Sequence, residues 1–181
     1  MNSQVMDRKL RTHEMNRLST EEFHAKEKSA VALLLDNVRS AHNVGSIFRT
    51  SDAFLINHLY LCGLSPTPPH PEMEKTALGA THTVEWTHFP RTELALSALK
   101  EKTIIGIEIT ERAVSLDQFQ WPDGEIVLAL GHEVNGLSSN TIHSCDHIVS
   151  IPQFGTKHSL NVAVSCAMVI WDYYIKKKKA G

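Results

Sequence analysis

Residues 31–54 read VALLLDNVRSAHNVGSIFRTSDAF. The first six, Val31–Asp36, are a continuous apolar run closed by one carboxylate, the pattern of a strand covered on both faces. From Val44 the period changes. Ile47, Phe48, Ser51, Phe54 and Leu55 recur at helical spacing and predict a helix over Val44–Ile56 with that face buried. Asn43 stands where an N-cap belongs, and Gly45 lets a neighbour approach the first turn closely. Arg49 and Asp52 fall on another face, three residues apart, as in a surface ion pair. A buried strand, a short turn and an amphipathic helix make the repeating unit of a parallel sheet. The turn itself, residues 37–45, holds neither G-x-G-x-x-G nor a P-loop. That excludes a dinucleotide enzyme, a P-loop NTPase and the common Rossmann-type methyltransferase.

The same alternation continues outward from this unit. Further strands are expected at His58–Cys62, His82–Trp86, Thr103–Thr110, Glu125–Leu130 and His147–Ile151. Further helices are expected at Glu72–Leu78, Thr92–Glu101, Ser138–Ser144 and Ser159–Lys178. Strand–helix alternation over about 150 residues predicts a three-layer α/β domain with a mainly parallel sheet. The turn-rich loop Leu64–Pro71 reads as a surface excursion. Residues 1–28 are polar and doubly charged, and Ser19-Thr20-Glu21-Glu22 matches a capping box. We read them as an N-terminal helical extension to a domain over 29–181.

Composition narrows the function classes. The chain has 181 residues, 42% apolar and 21% charged, which excludes a disordered protein. Eighteen Lys+Arg against twenty Asp+Glu leave a net charge of −2, so this is no basic nucleic-acid coat. Charge is nevertheless clustered. Arg8, Lys9, Arg11 and Arg17 outnumber Asp7 and Glu14 near the start, and Lys176–Lys179 form a second basic run after the last helix. Both runs can meet phosphate, although a frayed, solvated tail reads the same way for the lysines. Cys62, Cys145 and Cys166 are far apart and odd in number, so a disulfide scaffold is excluded and a reducing compartment expected. The first residues lack the apolar run of a signal peptide, and Asp172 interrupts the longest apolar stretch. A cytoplasmic protein with no membrane partner is the expectation. Eleven histidines are scattered without metal spacing, and neither H-E-x-x-H nor paired C-x-x-C occurs. No metal is expected.

Two further segments bear chemistry. Ile126–Ser138, IVLALGHEVNGLS, is a buried strand ending at Gly131, with Glu133 two residues on and a turn at Asn135-Gly136. A carboxylate at the C-terminal end of a central parallel strand lies where open α/β sheets bind ligands. An ordinary strand-exit loop with Glu133 in solvent gives the same pattern. Ile148–Trp171, IVSIPQFGTKHSLNVAVSCAMVIW, leads from a strand through Ile151-Pro152 and a glycine loop into Ser159-Leu160-Asn161. The helix that follows is apolar nearly all round and must be buried on most of its circumference, against the sheet or a second subunit. Ser159 serves as its N-cap or, with Asn161, bonds something specific at its buried start.

Each segment alone has an ordinary explanation; the ordered set does not. N-x-x-x-N-V-G-S-I-F-R-T-S-D-A, then L-x-L-G-x-E-x-x-G-L-S, then I-P-x-x-G-x-x-x-S-L-N-V-A-V-S resembles the three signature motifs of the SpoU/TrmH ribose methyltransferases, of the SPOUT superfamily. Lys75–Ala80, KTALGA, is similar to the family's segment between its second and third strands. The resemblance covers about residues 31–175. A separate N-terminal RNA-binding domain, which many rRNA-directed members have, is not seen. His132 and Val134-Asn135 occupy variable positions.

The resemblance implies a C-terminal trefoil knot, a homodimer formed through the knot region, and S-adenosyl-L-methionine as cofactor. By motif position the cofactor meets Leu130, Gly131, Ile151 and Leu160, with Ile109 and Thr110 near the adenine. The implied reaction is attack of a tRNA or rRNA ribose 2′-hydroxyl on the sulfonium methyl. The methyl is already activated, but the hydroxyl needs help to lose its proton, and the resemblance gives that task to Arg49. A guanidinium with a pKa above about 12 is a poor proton acceptor, so we expect Arg49 to stabilise the alkoxide. Asn43, Glu133, Ser159 and Asn161 become orienting groups. A SPOUT base methyltransferase, or a knotted RNA-binding protein without activity, would share the fold. The intact set Asn43, Arg49, Glu133, Ser159 and Asn161 favours the ribose-directed enzyme.

Overall fold

The computed structural model describes residues 8–11 and 14–180; of the charged residues named near the start, Asp7 lies outside them. Among the described residues seven strands, all paired in parallel, form one sheet in the order β3-β2-β1-β6-β4-β7-β5. They are β1 (Val31–Asp36), β2 (His58–Cys62), β3 (Trp86–Phe89), β4 (Thr103–Ile107), β5 (Val114–Ser115), β6 (Ile126–Gly131) and β7 (His147–Ser150). The helices are α1 (Thr20–Ala25), α2 (Ala41–Ala53), α3 (Pro71–Ala77), α4 (Thr92–Ala98), α5 (Ser139–Ser144) and α6 (Val162–Ala180). The expected α/β class is what the chain adopts.

The strands at the centre, β1 and β6, are buried at every position, as their unbroken apolar runs require. Alternate residues of each strand feed opposite cores. Leu33, Leu35, Leu128 and Leu130 join Ile47 and Phe48 of α2, Met73 of α3 and Val169 of α6. Ala32, Leu34, Val127 and Ala129 join Ala95 and Leu96 of α4 and Cys145. Two helical layers therefore sandwich the sheet. Phe23 of α1 is buried in the first core, and α1 opens with the expected Ser19/Glu22 capping box. All three cysteines are buried thiols, each pushed up to about 12 by burial. Among the described residues no helix is long and apolar enough to cross a membrane.

Several boundaries differ from expectation, each for a local reason. Helix α2 starts at Ala41, because the Ser40 hydroxyl accepts the Asn43 N–H at 3.3 Å and caps it. Asn43 is thus inside the first turn and is not the cap. Its burying face is Val44, Ile47, Phe48 and Ser51, while Phe54 and Leu55 are only half-buried. The neighbour admitted by Gly45 is α3: a Cβ there would lie 2.3 Å from the Met73 carbonyl and 2.2 Å from Thr76 Oγ1. The strand expected over His82–Trp86 begins only at Trp86. Leu78 and Gly79, at φ 50° and 90°, end α3 and feed a 3-10 turn over Ala80–His82, and Ala80 and Val84 enter the core. Strand β4 stops at Ile107, and β5 was too short to show a period. Helix α6 begins at Val162, so Ser159 is not its cap; Asn161 Oδ1 accepts the N–H groups of Ala163 and Val164 at 2.9 and 3.3 Å.

Candidate active site

The three adjacent central strands β1, β6 and β4 each end, or pass within two residues, into a carboxylate: Asp36, Glu133 and Glu108. This is the sheet edge where open α/β folds hold ligands. All three acids fasten the loop that follows β6. That loop doubles back at once: His132 and Gly136 exchange both backbone hydrogen bonds, at 3.0 and 2.8 Å. Gly131 is required beneath the fold-back, since a Cβ there would lie 2.1–2.3 Å from the backbone of Gly136 and Leu137. His132 Nδ1 accepts the Val134 and Asn135 N–H groups, so the neutral ring bears its proton on Nε2.

Asp36 is buried and takes Thr92 Oγ1 at 2.6 Å, Thr141 Oγ1 at 2.7 Å, the Ser138 N–H at 3.0 Å and Asn37 Nδ2 at 2.8 Å. Burial alone pushes its carboxyl up, but these hydrogen bonds outweigh it and hold the group below the usual range. Glu133 reaches the other way. Oε1 accepts the Ser40 N–H at 2.9 Å and Asn43 Nδ2 at 3.0 Å, and Oε2 accepts the Arg39 N–H at 3.1 Å. Partial burial again opposes, and the donors again win, so Glu133 is also held low. Asn43 Oδ1 in turn accepts Asn161 Nδ2 at 3.0 Å. A continuous chain of hydrogen bonds, Glu133–Asn43–Asn161, therefore ties the loop after β6 to the first turns of α2 and α6. Carboxamides suit this position because each is donor and acceptor at once.

The structure thus brings together Asn43, Glu133 and Asn161, residues up to 118 apart in the chain. It does not join Arg49 or Ser159 to them. Both are exposed, and among the described residues neither side chain makes a hydrogen bond or ion pair. The expected Arg49–Asp52 pair is absent: Asp52 Oδ2 instead accepts Thr83 Oγ1 at 2.5 Å. Ile109, Thr110, Leu130, Gly131, Ile151 and Leu160 line one cavity of about 740 Å³, with Glu108 and the whole loop after β6. Asp36, Glu108, Ser40 and His132 were missed in the sequence. For Asp36 and Glu108 the signal was the one used for Glu133, an acid closing an apolar strand.

Of the C-terminal lysines, Lys176 and Lys177 are engaged internally, and the Lys179 side chain lies outside the described residues. Lys176 Nζ reaches the Leu116, Asp117 and Phe119 carbonyls at 2.6, 3.3 and 3.2 Å and pairs with Asp172 at 3.0 Å. Lys177 pairs with Asp123 at 2.7 Å, and Lys178 lies over the Tyr174 ring at 6.0 Å. The first two clasp the segment between β5 and β6 onto α6, where Trp121 Nε1 also meets Asp172 at 2.9 Å. Helix α6 buries Val162, Cys166, Val169 and Ile170 against the sheet, and leaves Val164, Met168, Trp171 and Tyr174 as an apolar stripe exposed on the single chain.

Comparison with known proteins gives these features a context. A 23S rRNA (guanosine-2′-O-)-methyltransferase of Neisseria meningitidis is 34% identical over 145 residues, 76% of this chain and 55% of that protein. A tRNA (guanosine(18)-2′-O)-methyltransferase of Thermus thermophilus is 29% identical over 170 residues, 93% of this chain and 86% of that one. The chain spans less than two thirds of the length of the rRNA-directed relatives it matches. The fold is shared with an AdoMet-bound rRNA methyltransferase from Sinorhizobium meliloti, at a TM-score of 0.77 and 22% identity, over 83% of this chain and 57% of that one. The model of the SpoU rRNA Methylase family matches residues 30–171, from the start of β1 into α6 and across every carboxylate and carboxamide of the site. The chain belongs to that family.

Proposed function

We propose that the chain is an S-adenosyl-L-methionine-dependent RNA 2′-O-ribose methyltransferase acting on tRNA or rRNA. The observation that supports this most is the Glu133–Asn43–Asn161 chain of hydrogen bonds, at the border of a cavity lined by the second and third motifs. The cavity fits an adenine nucleoside ligand: its walls mix Leu130, Ile151 and Leu160 with backbone groups. Thr110 Oγ1, inside it, is buried with no hydrogen-bond partner among the described residues, a polar atom that a ligand edge would satisfy. The six residues Ile109, Thr110, Leu130, Gly131, Ile151 and Leu160 would hold the cofactor. When bound, adenosylmethionine supplies a methyl group already activated by its sulfonium.

The chain's own groups divide the remaining work. Glu133 and Asn43 fix the first turn of α2, and with it the helix from which Arg49 projects. The exposed Arg49 guanidinium stabilises the ribose alkoxide as its proton leaves, with an RNA phosphate as second partner. Ser159 and Asn161 orient the ribose from the α6 side. The exposed stripe Val164, Met168, Trp171 and Tyr174, flanked by Phe54, supports a homodimer in which a second copy covers α6. A trefoil knot formed by the segments that line the cavity accords with the shared fold. Buried reduced cysteines accord with a cytoplasmic site of action, and residues 1–28 serve as an extension of the domain over 29–181.

The test is methyl transfer from labelled adenosylmethionine to tRNA and rRNA transcripts, with the product mapped as a linkage resistant to alkali. Light scattering should report a dimer. Methylation on a base would give the reaction to a base methyltransferase. RNA binding with no transfer, under saturating cofactor, would make the chain a binding protein.

A further inference from the structure

Glu108 lies outside the three motifs, yet it is the carboxylate most directly built into the cavity. Its Oε1 accepts the Ile109 N–H at 2.7 Å and its Oε2 the Leu137 N–H at 2.9 Å. The approach depends on glycine: Gly136 has φ +66°, and a Cβ there would lie 2.0 Å from Glu108 Oε2. Each oxygen spends one lone pair on the backbone and keeps a second acceptor site. Glu133, the other acid of the cavity, accepts three donors from the α2 side. Among the described residues no Lys or Arg lines the cavity, whose other titratable groups are His132 and His158, counted as neutral. Its formal charge is therefore negative, and Glu108 is the less committed half of it.

The proposed donor and its product differ in the property this charge reads. The methyl donor is a sulfonium cation; loss of the methyl leaves a neutral thioether of nearly the same shape. Apolar walls and backbone hydrogen bonds cannot tell the two apart, whereas a fixed, partly buried carboxylate can. We infer that Glu108 is a specificity residue that biases the cavity toward the cationic methyl donor and against its neutral demethylated product. The inference rests on the methyltransferase reading. Glu108 also anchors the loop at Leu137, so its second consequence is that charge selection and loop position reside in one side chain.

The experiment is calorimetric titration of the full chain and of Glu108→Gln with adenosylmethionine and with S-adenosylhomocysteine. Glutamine keeps the shape but sets its amide N–H against the Ile109 or the Leu137 N–H, a defect both ligands feel equally, so the affinity ratio isolates the charge. Glu108→Gln should shift that ratio toward the product by about fivefold or more. Glu108→Asp should weaken both ligands and keep the wild-type ratio. Glu108→Ala removes the charge without the misplaced amide and should give the same shift if Glu108→Gln folds poorly. An equal loss for both ligands, or an unchanged ratio, overturns the inference alone. A wild-type chain that binds neither ligand overturns the methyltransferase reading along with it.

Discussion

The loop after β6 and the loop after β7 line one cavity and are held in opposite ways. Residues 131–138 fold back on themselves and are fastened by Asp36, Glu108 and Glu133, acids from three neighbouring strand ends. Residues 152–160 are exposed at nearly every position, Phe154 to 98%, and make no hydrogen bond among the described residues until Asn161 meets Asn43. The first loop has its backbone pinned at His132, Gly136, Leu137 and Ser138 within a single chain. The second has no such partners among the described residues, and on the proposed reading its groups are left for cofactor, RNA and a second copy. A carboxylate accepts several N–H donors at once, which makes it the economical way to freeze a short loop. The contrast teaches that a wall fastened within the chain and an open, unfastened wall can share one cavity.

The largest expected effect is on the fastened loop. Asp36→Ala leaves the Thr92 and Thr141 hydroxyls and the Ser138 N–H without their acceptor, at a cost of about 3 kcal/mol in denaturant unfolding. A change below about 1 kcal/mol would break the comparison, because it would mean that the acid is not what fixes the loop. Next comes Arg49→Ala, which should fold and bind adenosylmethionine normally but lose about 100-fold in single-turnover methyl transfer. Near-normal turnover would remove Arg49 from the open side of the site. Arg49→Lys should recover little, since an ammonium lacks the planar fork.

Titration sharpens the contrast further. Asp36 and Glu133 are both held low in the folded chain, so each adds stability that is fully present above the unfolded carboxyl range, near about 4. That stability is lost as pH falls through the lowered folded values. Unfolding curves should therefore be steady with respect to these groups down to about pH 5 and weaken below about pH 4, and Asp36→Asn should flatten the fall. The smallest effect belongs to the open loop. Phe154→Ser should change the stability of the single chain by less than about 0.5 kcal/mol, because the ring touches so little. A larger loss would show that the loop is packed after all.

The contrast also explains what could be read from the sequence. The apolar runs of β1 and β6 decided the sheet, because a strand buried on both faces has no other pattern. The three motifs singled out Asn43, Glu133 and Asn161, but the contacts that join them are 90 and 118 residues apart in the chain, which no local period records. Hence Asn43 read as a cap, although Ser40 is closer to the helix start and does that work. The same limit hid Glu108, whose partner Leu137 is 29 residues on. His82–Trp86 alternates as a strand would, yet the left-handed turn at Leu78-Gly79 and the burial of Val84 override it. The lysine tail looked free because charge alone cannot reveal that Lys176 faces three carbonyls.

The sheet order has a consequence for how the chain is made. β6 lies between β1 and β4 but is translated after both, and after β2, β3 and β5. A nascent chain therefore holds two fragments: β3-β2-β1 on one side and β4 alone on the other, each with an open edge facing the gap. Only when residues 126–131 leave the ribosome can one strand pair with both edges, from Val31↔Ile126 to Gly106↔Ala129. A central strand thus arrives late, and the nascent chain must keep two unpaired edges apart from other chains until it does.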